Sequence, residues 1–345
     1  MKKTLPIFII AAIFAAAPLI DITIPIVFTN DISSPGTLLV LGIALTFAGL
    51  AMSYDILFGY TGLLSLGHAL PFALGVYGTN LAMIHWKVPY VLAVVISLGG
   101  GIVIALILGS LALRTSGVAF AMVTLALAEA FAILVLTDPV RIFGGEEGLP
   151  IAAEQLPDFY RGVVNTKYIY WTALVFAVVT FLVSRLVVSS RAGRVWQAIR
   201  ENEARVELIG LRPFAFKLAS FVIASAIASL GGSVYLLLIR GANEGTASAI
   251  FTLAILVMVV LGGAGKLWGA ALGGFIYGIL NLRLSGVATS DFIDSLPNWI
   301  GGPLSEPLFV LGVLFILLIL YFPGGLISIP ARLFSSRRST GTAGS

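Results

Sequence analysis

The chain has 345 residues, of which 59% are hydrophobic and only 10% are charged, and its formal net charge is +4. Soluble domains carry about 25% charged residues and cannot bury so much apolar surface, so the composition excludes an ordinary soluble protein and favours a membrane protein. Cysteine is absent, which excludes disulfides, thiol catalysis and cysteine-ligated metal centres. The small basic excess is typical of the cytosolic loops of membrane proteins, so we do not expect nucleic-acid binding.

Apolar runs along the chain predict how often it crosses the membrane. A crossing helix needs about 20 predominantly apolar residues. By this criterion the sequence predicts an all-α, polytopic fold with about ten transmembrane helices. The predicted ranges are 5–28, 36–58, 62–84, 89–113, 117–137, 168–188, 212–238, 249–263, 266–283 and 305–322. The eighth is short, and it could instead form one broken or re-entrant unit with the ninth.

Charge placement predicts the orientation, because basic residues gather on the cytosolic side of membrane proteins. With Lys2 and Lys3 inside, alternation of the loops places the acidic loop 138–167 outside. Both termini are then cytosolic, and the number of helices is even. The other segments that alternation places inside are Arg114, 189–212, Lys266 and the basic tail 329–345, which we expect to be disordered.

Residues 1–35 hold the first predicted helix and a segment on the outer side. Lys2, Lys3 and the apolar stretch that ends in Ala15–Ala17 also resemble a secretory signal with a small-residue cleavage site. Pro18 directly after the alanines is a poor context for cleavage, and removal of the helix would break the even count. The sequence therefore favours an uncleaved first helix.

The longest densely charged stretch, residues 185–217, lies between the sixth and seventh predicted spans. Strong helix formers around 200–207 predict a short helix that ends near Gly210, and Ser189–Ser190 separate it from the sixth span. Trp196, Ile199 and Val206 form an apolar stripe along this stretch. Such a stripe, rimmed by charge, suits docking into a groove on another protein. The alternative is an interfacial helix that Trp196 and its arginines anchor to the membrane.

Two other features are candidates for a transport passage. The glycine-rich stretch from Gly59 to His68 predicts either a packing face with a turn or a broken helix whose backbone lines a passage. Its candidate residues are Gly59, Gly62, Ser65, Gly67 and His68. Glu129 lies in the middle of the fifth predicted span, where an ionisable group is costly and therefore a functional candidate; it could instead bond to a neighbouring helix. Asp55 is expected at the membrane interface or beside the Gly59–Ser65 turn.

Glycines near residue 265 predict close helix packing and not a nucleotide site. Gly265-Lys266 is followed by leucine, and the glycine spacing of a phosphate-binding loop is missing. Gly265, Gly269 and Gly273 recur every four residues, and Gly274 and Gly278 repeat that spacing. This pattern predicts a bare ridge for close helix packing.

These segments, taken together, resemble a known transporter family. The charged stretch and the Gly59–His68 stretch are joined by four others: Arg114–Leu125, Gly144–Leu149, Gly262–Gly269 and Tyr321–Leu326. In this order and spacing they resemble the permease subunits of bacterial ABC importers for branched-chain amino acids, of the LivM type. Two positions depart from the family pattern. Pro71 is expected to deepen a kink in the third helix, and Gly324 stands where arginine is common.

The resemblance implies a type II ABC importer-like permease domain over 36–328, in the inner membrane. It implies a homologous permease partner, two cytosolic ATPase subunits that bind ATP and Mg²⁺, and an extracytoplasmic solute-binding protein. The chain itself is then not an enzyme and binds no cofactor and no metal. On this resemblance the ATPase-coupling residues are Gly193, Arg200, Glu201, Asn202, Glu203, Arg205, Glu207 and Gly210. The outside-loop docking residues are Gly145, Glu147 and Gly148.

Other functions fit the sequence less well. A permease for urea or short-chain amides would share these motifs, and one sequence does not identify the residues that would tell the two apart. A membrane enzyme acting on lipid predicts clustered acids, histidines or lysines at one depth, whereas this chain has scattered single residues. A channel or a transporter without ATP has no evident use for the charged segment 189–212.

Overall fold

The computed structural model describes residues 5–19, 31–288, 302, 305–321 and 324–328, and the tail 329–345 lies outside them, as do Lys2 and Lys3. The helices of the described chain are α1 (Leu5–Ala16), α2 (Pro35–Asp55), α3 (Ala69–Trp86), α4 (Tyr90–Ala112), α5 (Val118–Thr137), α6 (Thr166–Ser189), α7 (Arg191–Glu201), α8 (Glu203–Leu208), α9 (Pro213–Ile239), α10 (Ala249–Gly262), α11 (Leu267–Ala288) and α12 (Pro307–Tyr321). Two short strands, β1 (Leu149–Pro150) and β2 (Gly241–Ala242), pair antiparallel.

The all-α membrane fold is confirmed. Within the described residues, helices occupy part of each of the ten predicted segments, and six spans are long and apolar enough to cross a membrane. The six spans are Pro35–Thr61, Tyr90–Ala112, Val118–Thr137, Thr166–Ser189, Pro213–Ile239 and Leu267–Leu284. The number of crossings and the side on which the termini lie stay predictions. Residues 20–28 of the first predicted span are outside the described chain.

The core is built around α2. From Leu41 to Asp55 this helix is buried without interruption, and it packs most extensively against α6, α9 and α11. By contrast, α4 and α5 expose large aliphatic side chains such as Val91, Val103 and Met122. Since lipid solvates apolar surface, exposed aliphatic residues on outer helices are expected in a membrane protein.

Small residues bring the helices into backbone contact. A β-carbon added to Gly75 of α3 would lie 1.9 Å from the carbonyl oxygen of Ser229 in α9, and one added to Gly232 would lie 2.0 Å from that of Phe72. The predicted glycine ridge is also confirmed: Gly273 packs on the α10 backbone and Gly274 on that of α2. In lipid no hydrophobic driving force holds helices together, so van der Waals packing at such close approach stabilises their association.

The loops gather at two opposite ends of the helices. One, called here the basic end, holds residues 113–117, the segment 189–212 and the turn 263–266. The other, called here the outer end, holds 138–165 and 241–247, joined by the β1–β2 pair. The turn 263–266 separates α10 from α11 as two helices, with Gly263 and Gly265 at φ +109° and +79°. The segments that the predicted alternation of loops placed on the cytosolic side thus lie together at one end of the helices.

We expect Gly75→Ala to destabilise the protein, because the added β-carbon must push α3 away from the α9 backbone. Overpacking of this kind costs about 1–3 kcal/mol. Gly99→Ala in α4 is the matched control, since nothing lies within 4 Å of its β-carbon position. Thermal unfolding of the purified protein in detergent measures both variants. Equal midpoints would contradict the close α3–α9 contact.

Candidate functional site: the helix break and the charged segment

The break between α2 and α3 is the most irregular part of the membrane domain. Past Asp55 the chain continues as a π-helical segment, Ile56–Thr61, and Gly62 ends it in the left-handed region at φ +78°. Regular helix resumes only at Ala69, so the predicted start of the third span at residue 62 is wrong. Pro71 lies in the first turn of α3, where the missing N–H is tolerated, and the expected deepening of a kink has no role there.

Side chains from four helices bind the backbone of this break. The N–H of Leu66 donates to Thr124 Oγ1 of α5 at 3.1 Å, and the N–H of Ala69 donates to Thr252 Oγ1 of α10 at 3.0 Å. The Tyr54 hydroxyl of α2 donates to the Ser65 carbonyl at 3.0 Å. Arg200 of α7 donates to the carbonyl of Gly59. Together they satisfy polar groups that have no helical partner.

Asp55, Gly59, Arg200 and Gly265 form one compact contact, named here the junction. Asp55 is buried, and its Oδ1 accepts from the N–H of Gly265 at 2.7 Å. Gly59 packs so closely on this carboxyl that an added β-carbon would lie 1.9 Å from Oδ1. Arg200 donates to the Gly59 carbonyl and lies beside Gly265. The proximity of Asp55 to the turn at Gly59 is confirmed, and its position relative to the membrane interface stays a prediction.

The other candidate passage residues of the break have partners inside the chain. His68 is buried, its Nε2 lies 2.9 Å from Ser53 Oγ, and its ring packs on Tyr54. Ser65 is buried too, and its Oγ accepts from the N–H of Gly67 at 3.4 Å. These contacts hold the break in shape. A role in lining a passage stays a prediction.

Glu129 bonds to a neighbouring helix. Its Oε1 accepts from the N–H of Ala249 at 2.9 Å, at the first residue of α10. This bond satisfies one of the N–H groups that have no partner at the start of a helix. Glu129 thus ties the middle of α5 to the first turn of α10, and its role in a passage stays a prediction.

The charged segment folds as two helices and not as the single short helix predicted. α7 begins after Ser190, whose hydroxyl accepts from the N–H of Gly193 at 3.3 Å. Asn202 has extended backbone angles and caps α8 by accepting from the N–H of Arg205 at 3.0 Å. Gly210, at φ +84°, ends the segment. Only glycine fits at position 193 in the first turn of α7, because an added β-carbon would lie 2.0 Å from the Val188 carbonyl oxygen.

The apolar stripe of this segment is already buried against its own chain. Trp196, Ile199 and Val206 are 0%, 5% and 2% exposed, and Trp196 Nε1 donates to the Phe216 carbonyl of α9 at 2.8 Å. The prediction that this stripe docks into another protein is therefore wrong. Helical period indicates which side chains are buried, but not whether the burying partner is the same chain.

A different surface of the segment remains outside. Leu208 and Ile209 are 88% and 70% exposed. Among the charged candidates, Glu203 pairs with Lys217 of α9, whereas the side chain of Glu207 is exposed. Glu201, Asn202 and Arg205 are exposed as well. The surface named here the tip therefore consists of Glu201, Asn202, Arg205, Glu207, Leu208 and Ile209.

The outer end is organised by two side chains that the sequence analysis missed. The Asp138 carboxylate accepts from the N–H groups of Ile142, Phe143 and Gly144 at 2.8–3.0 Å. Desolvation raises the pKa of this carboxyl, but these bonds lower it by more, so its pKa lies below the ordinary value. Asn80 of α3 donates to the carbonyls of Leu149 and Pro150 at 3.1 and 3.0 Å. In the sequence, the signal for Asp138 and Asn80 is a polar residue within or directly beside an apolar span.

The docking candidates lie on the loop that these side chains hold. Gly145 and Gly148 have positive φ values of 56° and 72°, and the Gly148 N–H donates to the Gly145 carbonyl at 3.2 Å. Glu147 is exposed between them. The loop is thus a hydrogen-bonded turn with an exposed acidic side chain, and its docking role stays a prediction.

Comparison with known proteins identifies similar chains. Residues 36–321 match the family described as branched-chain amino acid transport system / permease component. The chain is 26% identical over 321 residues to the high-affinity branched-chain amino acid transport system permease protein LivM of Escherichia coli K12, covering 85% of this chain and 70% of that one. It is 29% identical to the Salmonella typhimurium LivM, covering 63% of this chain and 56% of the relative.

An archaeal relative is also similar. The probable branched-chain amino acid transport permease protein LivM of Methanocaldococcus jannaschii is 31% identical over 208 residues, covering 59% of this chain and 58% of the relative. The chain thus spans less than two thirds of the Salmonella and Methanocaldococcus proteins. No solved structure matches.

Proposed function

We propose that this chain, which belongs to the family of branched-chain amino acid transport permease components, forms half of the passage of an ABC importer for branched-chain amino acids. The chain is a multi-pass permease subunit of the inner membrane. A homologous permease forms the other half. ATP and Mg²⁺ bind to two separate cytosolic ATPase subunits. An extracytoplasmic binding protein delivers the amino acid.

The observation that carries this proposal is the junction, because it connects the charged segment to the broken helix. Arg200 belongs to α7, and the Gly59 carbonyl that it binds belongs to the π-helical end of α2. A displacement of α7 must therefore move this carbonyl or break its charge-assisted bond. Gly265 couples the same movement to α11 through Asp55. Movement of the ATPase is thereby passed to helices of the transport domain.

The tip is the surface that the ATPase contacts. Leu208 and Ile209 supply exposed apolar area at the end of α8, and Glu201, Arg205 and Glu207 surround it with charge. An apolar centre with a polar rim is the usual anatomy of a protein interface. Glu203 has a different task, since its bond to Lys217 fixes α8 on α9.

The outer loop is the docking surface for the binding protein. Glu147 projects from a turn whose backbone is fixed by Asp138 and by the β1–β2 pair. A rigid turn is already arranged for binding, so little conformational entropy is lost when a partner docks.

Reconstitution of the assembled transporter into vesicles tests the proposed function. We expect ATP-dependent uptake of labelled leucine that requires the binding protein and is reduced by unlabelled isoleucine and valine. Excess unlabelled urea is the competitor that tests the alternative, a permease for urea or short-chain amides. Reduction by urea, with none by isoleucine or valine, would assign the permease to urea or amides.

We expect the double variant Leu208→Ser, Ile209→Ser to lose the ATPase subunits. Removal of central apolar contacts typically costs more than about 1 kcal/mol each, so the affinity should fall tenfold or more. Val164→Ser is the matched control, because Val164 is 86% exposed at the outer end. Co-purification of the ATPase with each variant is the measurement. Full retention by the double variant would exclude the tip as the contact.

Arg200→Gln should separate assembly from transmission. The shorter neutral side chain no longer holds the Gly59 carbonyl, while the tip is unchanged. We expect the ATPase to co-purify normally and leucine uptake per ATP hydrolysed to fall about fivefold or more, the size of a typical coupling between sites. Arg191→Gln in the first turn of α7 is the control for charge, because Arg191 is exposed and belongs neither to the tip nor to the junction. Unchanged uptake in Arg200→Gln would show that the junction does not transmit movement.

A further inference from the structure

A basic cavity opens at the basic end, between α6, α7 and α11. It has a volume of about 940 Å³. Three cationic side chains line it, Arg185, Arg194 and Lys266, together with the aromatic rings of Tyr60 and Trp268. No acidic side chain belongs to its described lining. Arg194 and Lys266 are exposed, and a cavity lined by such cations favours an anionic ligand.

An apolar groove of about 190 Å³ lies next to this cavity, on the side toward the outer end. Its walls come from α1, α2, α6 and α11, and they include Ile10, Phe14, Met52, Leu174, Ala271 and Phe275. Phe181 and Trp268, whose ring centroids are 4.6 Å apart, line both the groove and the cavity. The groove and the cavity are therefore adjacent at these rings.

The arrangement has the polarity and the length of a lipid. Along α6, Leu174 in the groove and Arg185 in the cavity are about 16 Å apart at 1.5 Å per residue. The apolar walls cover the part from Leu174 to Phe181, about 10 Å, which suits part of an acyl chain, and the cations lie where a phosphate would follow. Aromatic rings at the boundary are typical of the membrane–water interface. Basic pockets between transmembrane helices at this depth bind anionic lipid headgroups.

We propose that the cavity and the groove together bind one anionic phospholipid. Arg185, Arg194 and Lys266 contact its phosphodiester headgroup, and one acyl chain lies in the groove beside Phe181 and Trp268. The lipid then fills the space between α1, α6 and α11, and its headgroup touches α7 next to Ser189. This site is separate from the tip, whereas Gly265 of the junction belongs to the lining of its cavity. Lipid retention by the chain alone does not depend on the proposed transport function.

Native mass spectrometry of the full-length chain tests the headgroup site. The protein is delipidated and then equilibrated with vesicles of equal parts phosphatidylglycerol and phosphatidylcholine. We expect one phosphatidylglycerol to be retained preferentially, and the triple variant Arg185→Gln, Arg194→Gln, Lys266→Gln to retain on the order of tenfold less or lower still, since each basic group contributes to the attraction. The triple variant Arg114→Gln, Arg191→Gln, Arg212→Gln removes the same charge elsewhere at the basic end and should retain it within about twofold.

A second measurement tests the groove. Phosphatidylglycerol with brominated acyl chains should quench Trp268 fluorescence, identified as the part of the signal that Trp268→Phe removes. Ala271→Phe fills the groove and should abolish this quenching without changing the cations. Equal loss of lipid in both charge variants, or no quenching of Trp268, would overturn the proposal. Displacement of the lipid by millimolar inorganic phosphate would also overturn it, because the cavity would then hold a free anion.

Discussion

The structure depends on one requirement: where a helix breaks inside lipid, every freed backbone N–H and carbonyl must find a partner in the protein. The break between α2 and α3 frees several such groups at once. Thr124, Thr252, Tyr54 and Arg200 bind them, and these residues belong to α5, α10, α2 and α7. The need to satisfy one irregular stretch therefore brings together helices that are far apart in the sequence.

The same requirement makes the break responsive to the charged segment. An unpaired polar group in an apolar interior costs about 1–3 kcal/mol, so α7 cannot leave the Gly59 carbonyl without another bond taking its place. The π-helical stretch Ile56–Thr61 has a spare residue per turn, and π-bulges in α-helices are frequently found at functional sites. Asp55 holds the α10–α11 turn to this stretch. Movement at the junction is thus shared by α2, α7 and α11.

The sequence predicted those features that a local physical rule determines. Hydropathy located the helices, because only helices of sufficient length satisfy the backbone in lipid, and glycine spacing located the ridge on α11. The sequence did not predict which surface buries the Trp196 stripe, because helical periodicity indicates that a side chain is buried but does not identify the partner that buries it. The Arg200–Gly59 bond joins residues 141 positions apart, and no local pattern contains such a distance.

The two ends of the permease are connected through α3. Its first residue, Ala69, is bonded at the break, and Asn80 of the same helix holds β1 and accepts from the N–H of Ala152 at 3.2 Å. Between them, Gly75 packs directly on the backbone of α9, so α3 cannot slide freely. A helix fixed at both ends and along one side moves as a rigid body with its neighbour. These contacts thus fix α3 at the break and at the outer loop, at Ala69 and Asn80, which are about 16 Å apart along the helix.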